Sequence, residues 1–204
     1  VASSVDICNI ALSHLGDAGN VASIDPPEAS TQARHCARFF PVARDEVLES
    51  HCWRFNTRRK ALTSVVLPDA VDGEWLYAYA LPAECLRPFA VYVPGVTDRG
   101  RTEDFSVETA DDGSQVLYAN VDAAYLKYVV RVTDTSRFPP SVVMAVSARL
   151  ARHLANPLTR SADMVKAMEE LYLRTKSHAE ALDGDTQSTE EWRNEVKPVW
   201  VSGR

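Results

Sequence analysis

Three observations predict an α+β chain. Apolar residues recur at helical spacing near both ends of the sequence. Between those ends the period shortens to two. The change falls just after a basic cluster at Arg58, Arg59 and Lys60. The expected organisation is a helical bundle made from residues 1–60 and 139–184, with a mostly antiparallel β-sheet lobe, 61–138, inserted between them. Residues 185–204 are expected to form an extended C-terminal arm.

Ser3 or Ser4 caps a first helix, with Asp6 where a capping-box acid belongs. Ile7, Ile10, Ala11 and Leu15 form its apolar face, and Val5, Cys8 and Leu12 widen it. A face that wide predicts burial against two neighbours. Gly16 ends the helix, because glycine tolerates a left-handed backbone. Asp25-Pro26-Pro27-Glu28 then reads as the start of a long helix: a capping side chain, followed by proline where its missing N–H costs nothing. Ala33, Cys36, Phe40, Ala43 and Val47 give that helix one continuous seam, and Pro41 is expected to kink it.

Strand signals follow. Leu76, Ala78 and Ala80 alternate with Tyr77, Tyr79 and Leu81, and Phe89, Val91 and Val93 continue the pattern. Residues 94–103 read as a projecting loop. Asp111-Asp112-Gly113-Ser114 reads as a hairpin turn between Phe105-Ser106-Val107 and Val116-Leu117-Tyr118, and Tyr125 to Val132 is the last strand. Helices return at Pro139-Pro140, with an interruption expected at Asn156-Pro157 and a second start at Ser161. Gly184 is expected to end regular structure.

A formal net charge of −6 argues against sequence-independent binding to DNA, which needs a basic footprint. No apolar run is long enough to span a bilayer, and the residues after Val1 lack the charged and apolar regions of a signal peptide. The expectation is a soluble protein, made in a cytoplasm, without a membrane anchor. Cys8, Cys36, Cys52 and Cys85 have no metal-site spacing and are expected to be free thiols.

Several short elements, taken in order, carry a resemblance. They are Ala11, Leu12 and Gly16 in the first helix; Arg44-Asp45-Glu46-Val47-Leu48; Trp53 and Phe55; and Arg59-Lys60-Ala61-Leu62. Trp75, Tyr77, Tyr79, Leu81-Pro82 and Cys85-Leu86-Arg87 complete the series. Together they resemble the tail tubular protein A family, the head-to-tail adaptors of short-tailed bacteriophages. The likeness spans most of the chain but not the long middle loop or the last twenty or so residues. Cys52 departs from it, since the family usually has proline or a similar residue before the tryptophan.

The resemblance implies a non-enzymatic virion protein of the phage neck, made in the bacterial host. It would form a dodecameric ring between the portal protein and the tail nozzle protein. The genome would pass through its channel without sequence-specific binding.

His35-Cys36 and His51-Cys52 invite a thiol or metal role, but their spacing matches no zinc pattern. His14, His153 and His178 read as surface or boundary residues of helices. Asp45, Glu46, Glu49, Glu84, Glu169 and Glu170 supply carboxylates, and a hydrolase would need two of them at a set separation in a cleft. The resemblance supplies the competing class, cell-wall (peptidoglycan) hydrolysis, with which some phage adaptors have been credited. The sequence has no phosphate loop, dinucleotide fingerprint or nucleophile elbow, and no cofactor or metal is expected. The basic cluster Arg54, Arg58, Arg59 and Lys60 reads as local or intersubunit ion pairing. Trp53, Phe55 and Trp75 read, with Arg58 and Arg59, as core or subunit interface. Val199, Trp200 and Val201, an apolar group after a polar spacer, are the candidate partner-binding hook.

Overall fold

The first helix, α1 (Ser4–His14), begins where the sequence places it. The Ser3 hydroxyl accepts from the Asp6 N–H, and the Asp6 carboxylate accepts from the Ser3 N–H, closing a capping box. Gly16, at φ +73°, lets the Asp17 and Gly16 N–H groups turn back onto the carbonyls of Leu12 and Ser13. The computed structural model describes residues 2–66, 73–95, 102–110 and 112–185.

Helix α2 (Thr31–Ser50) starts later than the sequence suggests. Its cap is Ser30, whose hydroxyl accepts from the Ala33 N–H. The Asp25-Pro26-Pro27-Glu28 stretch closes on itself ahead of the helix. The Glu28 N–H donates to the Ser23 carbonyl, the Ser23 hydroxyl donates to the Pro26 carbonyl, and Ile24 bridges Pro27. Glu28 still serves the helix start, by accepting from the Ser30 hydroxyl. Pro41 lies inside α2, and the helix runs through it.

The exit from α2 is set by two later residues. The buried Trp53 indole N–H donates to the Val47 carbonyl at 2.9 Å, and the buried Asn56 amide donates to the Leu48 carbonyl at 3.3 Å. Both satisfy carbonyls that a helix end leaves without partners. The chain is thereby folded back under its own helix and leaves as a strand.

That strand corrects an expectation. Strand signals are expected only beyond residue 60, but the basic cluster itself lies in β1 (Thr57–Ala61), followed directly by β2 (Thr63–Val65). The remaining strands are β3 (Tyr77–Ala80), β4 (Cys85–Tyr92), β5 (Phe105–Thr109), β6 (Gln115–Ala119) and β7 (Tyr125–Val130). They form two antiparallel sheets rather than one, in the orders β1-β7-β4 and β2-β3-β6-β5. Leu62, whose N–H donates to the Ala124 carbonyl, is where the chain passes from the first sheet to the second. Tyr79, Leu117 and Ala119 of one sheet and Val91, Leu126 and Tyr128 of the other share one apolar core. The β5–β6 hairpin pairs Thr109 with Gln115, and Gly113 at φ +82° lies in its turn.

Helix α3 (Pro140–Thr159) runs on through Asn156-Pro157 instead of breaking there. A proline so near the end removes one backbone bond. The helix stops at Arg160, whose backbone is left-handed at φ 51°. Helix α4 (Ala162–Asp185) includes Gly184 and does not end at it. Helices α1, α2 and α4 each pack on α3, while α1 and α2 barely touch one another. The sequence of α3 fits that central place. Its buried residues Val142, Ala145, Val146, Leu150, Ala151 and Leu154 surround the helix rather than forming a stripe, and its alanines let neighbours approach closely. The architecture is α+β: four helices and two antiparallel sheets among the described residues. None of these helices is long and apolar enough to cross a membrane.

Candidate functional site

Two surfaces concentrate polar and aromatic side chains. The first lies where α2, α3 and α4 meet. Glu46 of α2 receives two hydrogen bonds from the Arg149 guanidinium, at 2.7 and 3.1 Å, and lies 2.7 Å from His153 Nε2. Arg149 also reaches Glu169 of α4 at 3.5 Å and lies over the Tyr172 ring, and Arg152 holds Glu169 at 3.0 Å. The His153 ring stacks on Phe39, which stacks on His35.

Burial pushes the Glu46 carboxyl upward, but the Arg149 and His153 hydrogen bonds outweigh it and hold the group below the ordinary carboxylate value. The Arg149 guanidinium is correspondingly raised, chiefly by its hydrogen bonds to Glu46. Chemically this is an interhelical clamp. A general acid for glycoside hydrolysis needs a raised carboxyl, the reverse of the Glu46 environment. Arg131 and Arg44 share Asp45 at 3.0 and 2.8 Å, which links β7's end to α2 beside the clamp.

The second surface is the outer face of sheet β1-β7-β4. Register places Arg59 of β1 opposite Lys127 of β7, and Tyr125 of β7 opposite Tyr92 of β4. Arg59 lies over the Tyr92 ring at 5.2 Å, and Lys127 over the Phe89 ring at 4.7 Å. Phe89 is 48% exposed and Tyr125 44%. A shallow concavity of about 290 Å³ opens beside them, lined by Arg59, Tyr92, Val93, Pro94, Gly95 and Tyr125.

The residues singled out from sequence divide between these surfaces and the core. Trp53 is fully buried in the helical core. Phe55 packs on that core against Phe138, with centroids 5.5 Å apart. Arg58 makes a long, exposed ion pair with Glu84 at 4.0 Å, while Arg59 belongs to the aromatic face of the sheet. Trp75 is half-buried in a separate small cluster with Ala78, Val116 and Tyr118. Val199, Trp200 and Val201 lie outside the described residues.

Cys8 and Cys36 are buried neighbours. Their hydrogen bond, with burial second, pushes the Cys8 thiol well above its ordinary value. Burial lifts Cys85 to about 11. Among the described residues no three His, Cys, Asp or Glu side chains converge as a metal site.

Sequence reasoning missed the Glu46–Arg149–His153 clamp, since His153 reads as a boundary residue of its helix. It also missed Lys127, Phe89, Tyr92 and Tyr125 as one surface. The signal available for the latter was the alternation of β7, where Tyr125 and Lys127 fall on one side and Leu126 and Tyr128 on the other. No family model matches the chain, and no curated protein matches it.

Proposed function

We propose that this chain is a structural head-to-tail adaptor of a short-tailed bacteriophage. Copies of it form a ring, by the resemblance a dodecamer, between the portal protein and the tail nozzle protein. The ring holds a channel open for the genome and performs no chemistry on it. The helices of both chain ends act as one bundle with α3 at its centre, and the two sheets act as the lobe inserted between them.

The observation that carries this reading is the order of short elements from Arg44-Asp45-Glu46-Val47-Leu48 through Trp53, Arg59-Lys60-Ala61-Leu62 and Trp75 to Leu81-Pro82 and Cys85-Leu86-Arg87. The architecture supports it in kind, with helices drawn from both ends of the chain and, among the described residues, seven strands between them. Peptidoglycan hydrolysis draws no support from Glu46, whose carboxyl is held ionised.

Co-sedimentation with purified portal tests the proposal. The adaptor pellets with portal and leaves a peptidoglycan suspension turbid. A chain that clears peptidoglycan and ignores portal overturns it.

A further inference from the structure

We infer that the outer face of sheet β1-β7-β4 is the basic half of a head-to-tail interface between copies of this chain, and that its occupant is the acidic β5 margin of a second copy. The inference deepens the adaptor proposal and rests on its ring.

The face has the chemistry of an interface centre. Arg59 and Lys127 stand side by side across β1 and β7, each over an aromatic ring. Phe89 and Tyr125 remain close to half exposed on the same sheet, and arginine and aromatic residues are the side chains enriched in such centres. Among the described residues no carboxylate lies within ion-pair distance of Arg59 or Lys127, although the chain carries six more acidic than basic side chains. Among the described residues the two cations are therefore engaged by aromatic rings and by no carboxylate. A partner carboxylate can neutralise them without breaking an ion pair between described residues.

The same chain carries a complementary surface elsewhere. Among the described strands β5 is the edge of the other sheet and pairs with β6 alone. Phe105 and Val107 of β5 pack on the core shared by the sheets, so alternation turns Asp104, Ser106 and Glu108 to the opposite side. Asp104 and Glu108 are exposed there. A basic face and an acidic margin on different parts of one chain make a heterologous contact, the kind that closes into a ring when the rotation per copy permits.

A single-stranded nucleic acid is the other occupant that a basic aromatic sheet face can take. It is disfavoured because both cations already cover ring faces on which a base would stack, and because the whole chain is acidic.

Sedimentation velocity over a range of protein concentrations, at low and high salt, tests the interface. The wild-type chain self-associates, and salt weakens the association. R59E/K127E weakens it by about tenfold or more. R34E/R38E makes the same charge change on α2 and serves as the control, keeping the wild-type behaviour. D104K/E108K added to R59E/K127E restores association.

A wild type that stays monomeric throughout overturns the inference. So does R59E/K127E associating like wild type, equal weakening by the control, or failure of the charge swap to rescue. Binding of a labelled oligothymidine that R59E/K127E abolishes, without self-association, also overturns it, in favour of nucleic acid. Portal binding separates the two proposals. Wild-type chain that self-associates through this face yet ignores portal removes the adaptor and keeps the interface. Chain that assembles on portal whether or not Arg59 and Lys127 are reversed removes the interface and keeps the adaptor.

Discussion

Replacing Trp53 probes the joint between the helical core and the sheets. The indole is fully buried, donates to the Val47 carbonyl at 2.9 Å, and meets the His51 ring edge-on with centroids 4.7 Å apart. Trp53→Ala removes a large buried side chain and leaves a cavity, at a cost of about 3–5 kcal/mol. Trp53→Phe separates volume from hydrogen bonding. It keeps most of the apolar ring and loses the N–H, while the Val47 carbonyl retains the Ser50 hydroxyl at 2.9 Å. The expected cost is about 1–2 kcal/mol, the range for one hydrogen bond lost from a partly satisfied acceptor. Urea unfolding followed by far-ultraviolet circular dichroism measures both without relying on tryptophan emission. An Ala variant with the wild-type midpoint would refute the burial. A Phe variant as unstable as the Ala variant would refute the ranking of volume over the hydrogen bond.

Four further outcomes are expected. Gly16→Ala, at φ +73°, destabilises by about 1–2 kcal/mol in the same assay although a methyl group there meets no neighbour, because the strain is in the backbone. The Glu46 carboxyl is held below its ordinary value of 4.5, so its contribution is present above that pH and is lost as pH falls through the folded value. Unfolding midpoints between about pH 6 and pH 2 should therefore fall more steeply for wild type than for Glu46→Gln, and parallel curves would exclude the clamp. Iodoacetamide at neutral pH should label half-buried Cys52 before buried Cys8 and Cys36, which should react only after unfolding; equal rates in the native protein would contradict their burial. Truncation after Asp185, the last residue of α4, should abolish portal attachment, with Trp200→Ala as the finer probe; undiminished attachment would make the hook dispensable.

What the sequence made legible was local. The Ser3–Asp6 capping box and the Gly16 stop involve residues a few positions apart, and the structure has both. The apolar seam of α2 follows from periodicity alone, and Ala33, Phe40 and Val47 are all buried. Two capping signals stand close together ahead of α2. Ser30 wins, since the proline pair is drawn into a turn by Ser23 and Glu28.

Strand β1 was illegible for a different reason. Arg58, Arg59, Lys60 and Ala61 are all exposed, so no apolar alternation marks them, and the strand exists through its backbone pairing with distant Tyr125–Val129. Two sheets rather than one could not be read from strand positions, because the division occurs at Leu62 within an unbroken extended segment. The candidate surfaces suffer the same limit. Glu46 meets Arg149 and His153 from more than a hundred positions away, and Arg59 meets Tyr92 and Lys127 only through register.

The adaptor proposal stands or falls on a single image. Purified portal mixed with this chain and viewed by electron microscopy should give rings of the added protein stacked coaxially on the portal, with its rotational order extending to the new layer. Portal particles that remain bare at saturating chain, with the added protein dispersed in the background, would contradict it.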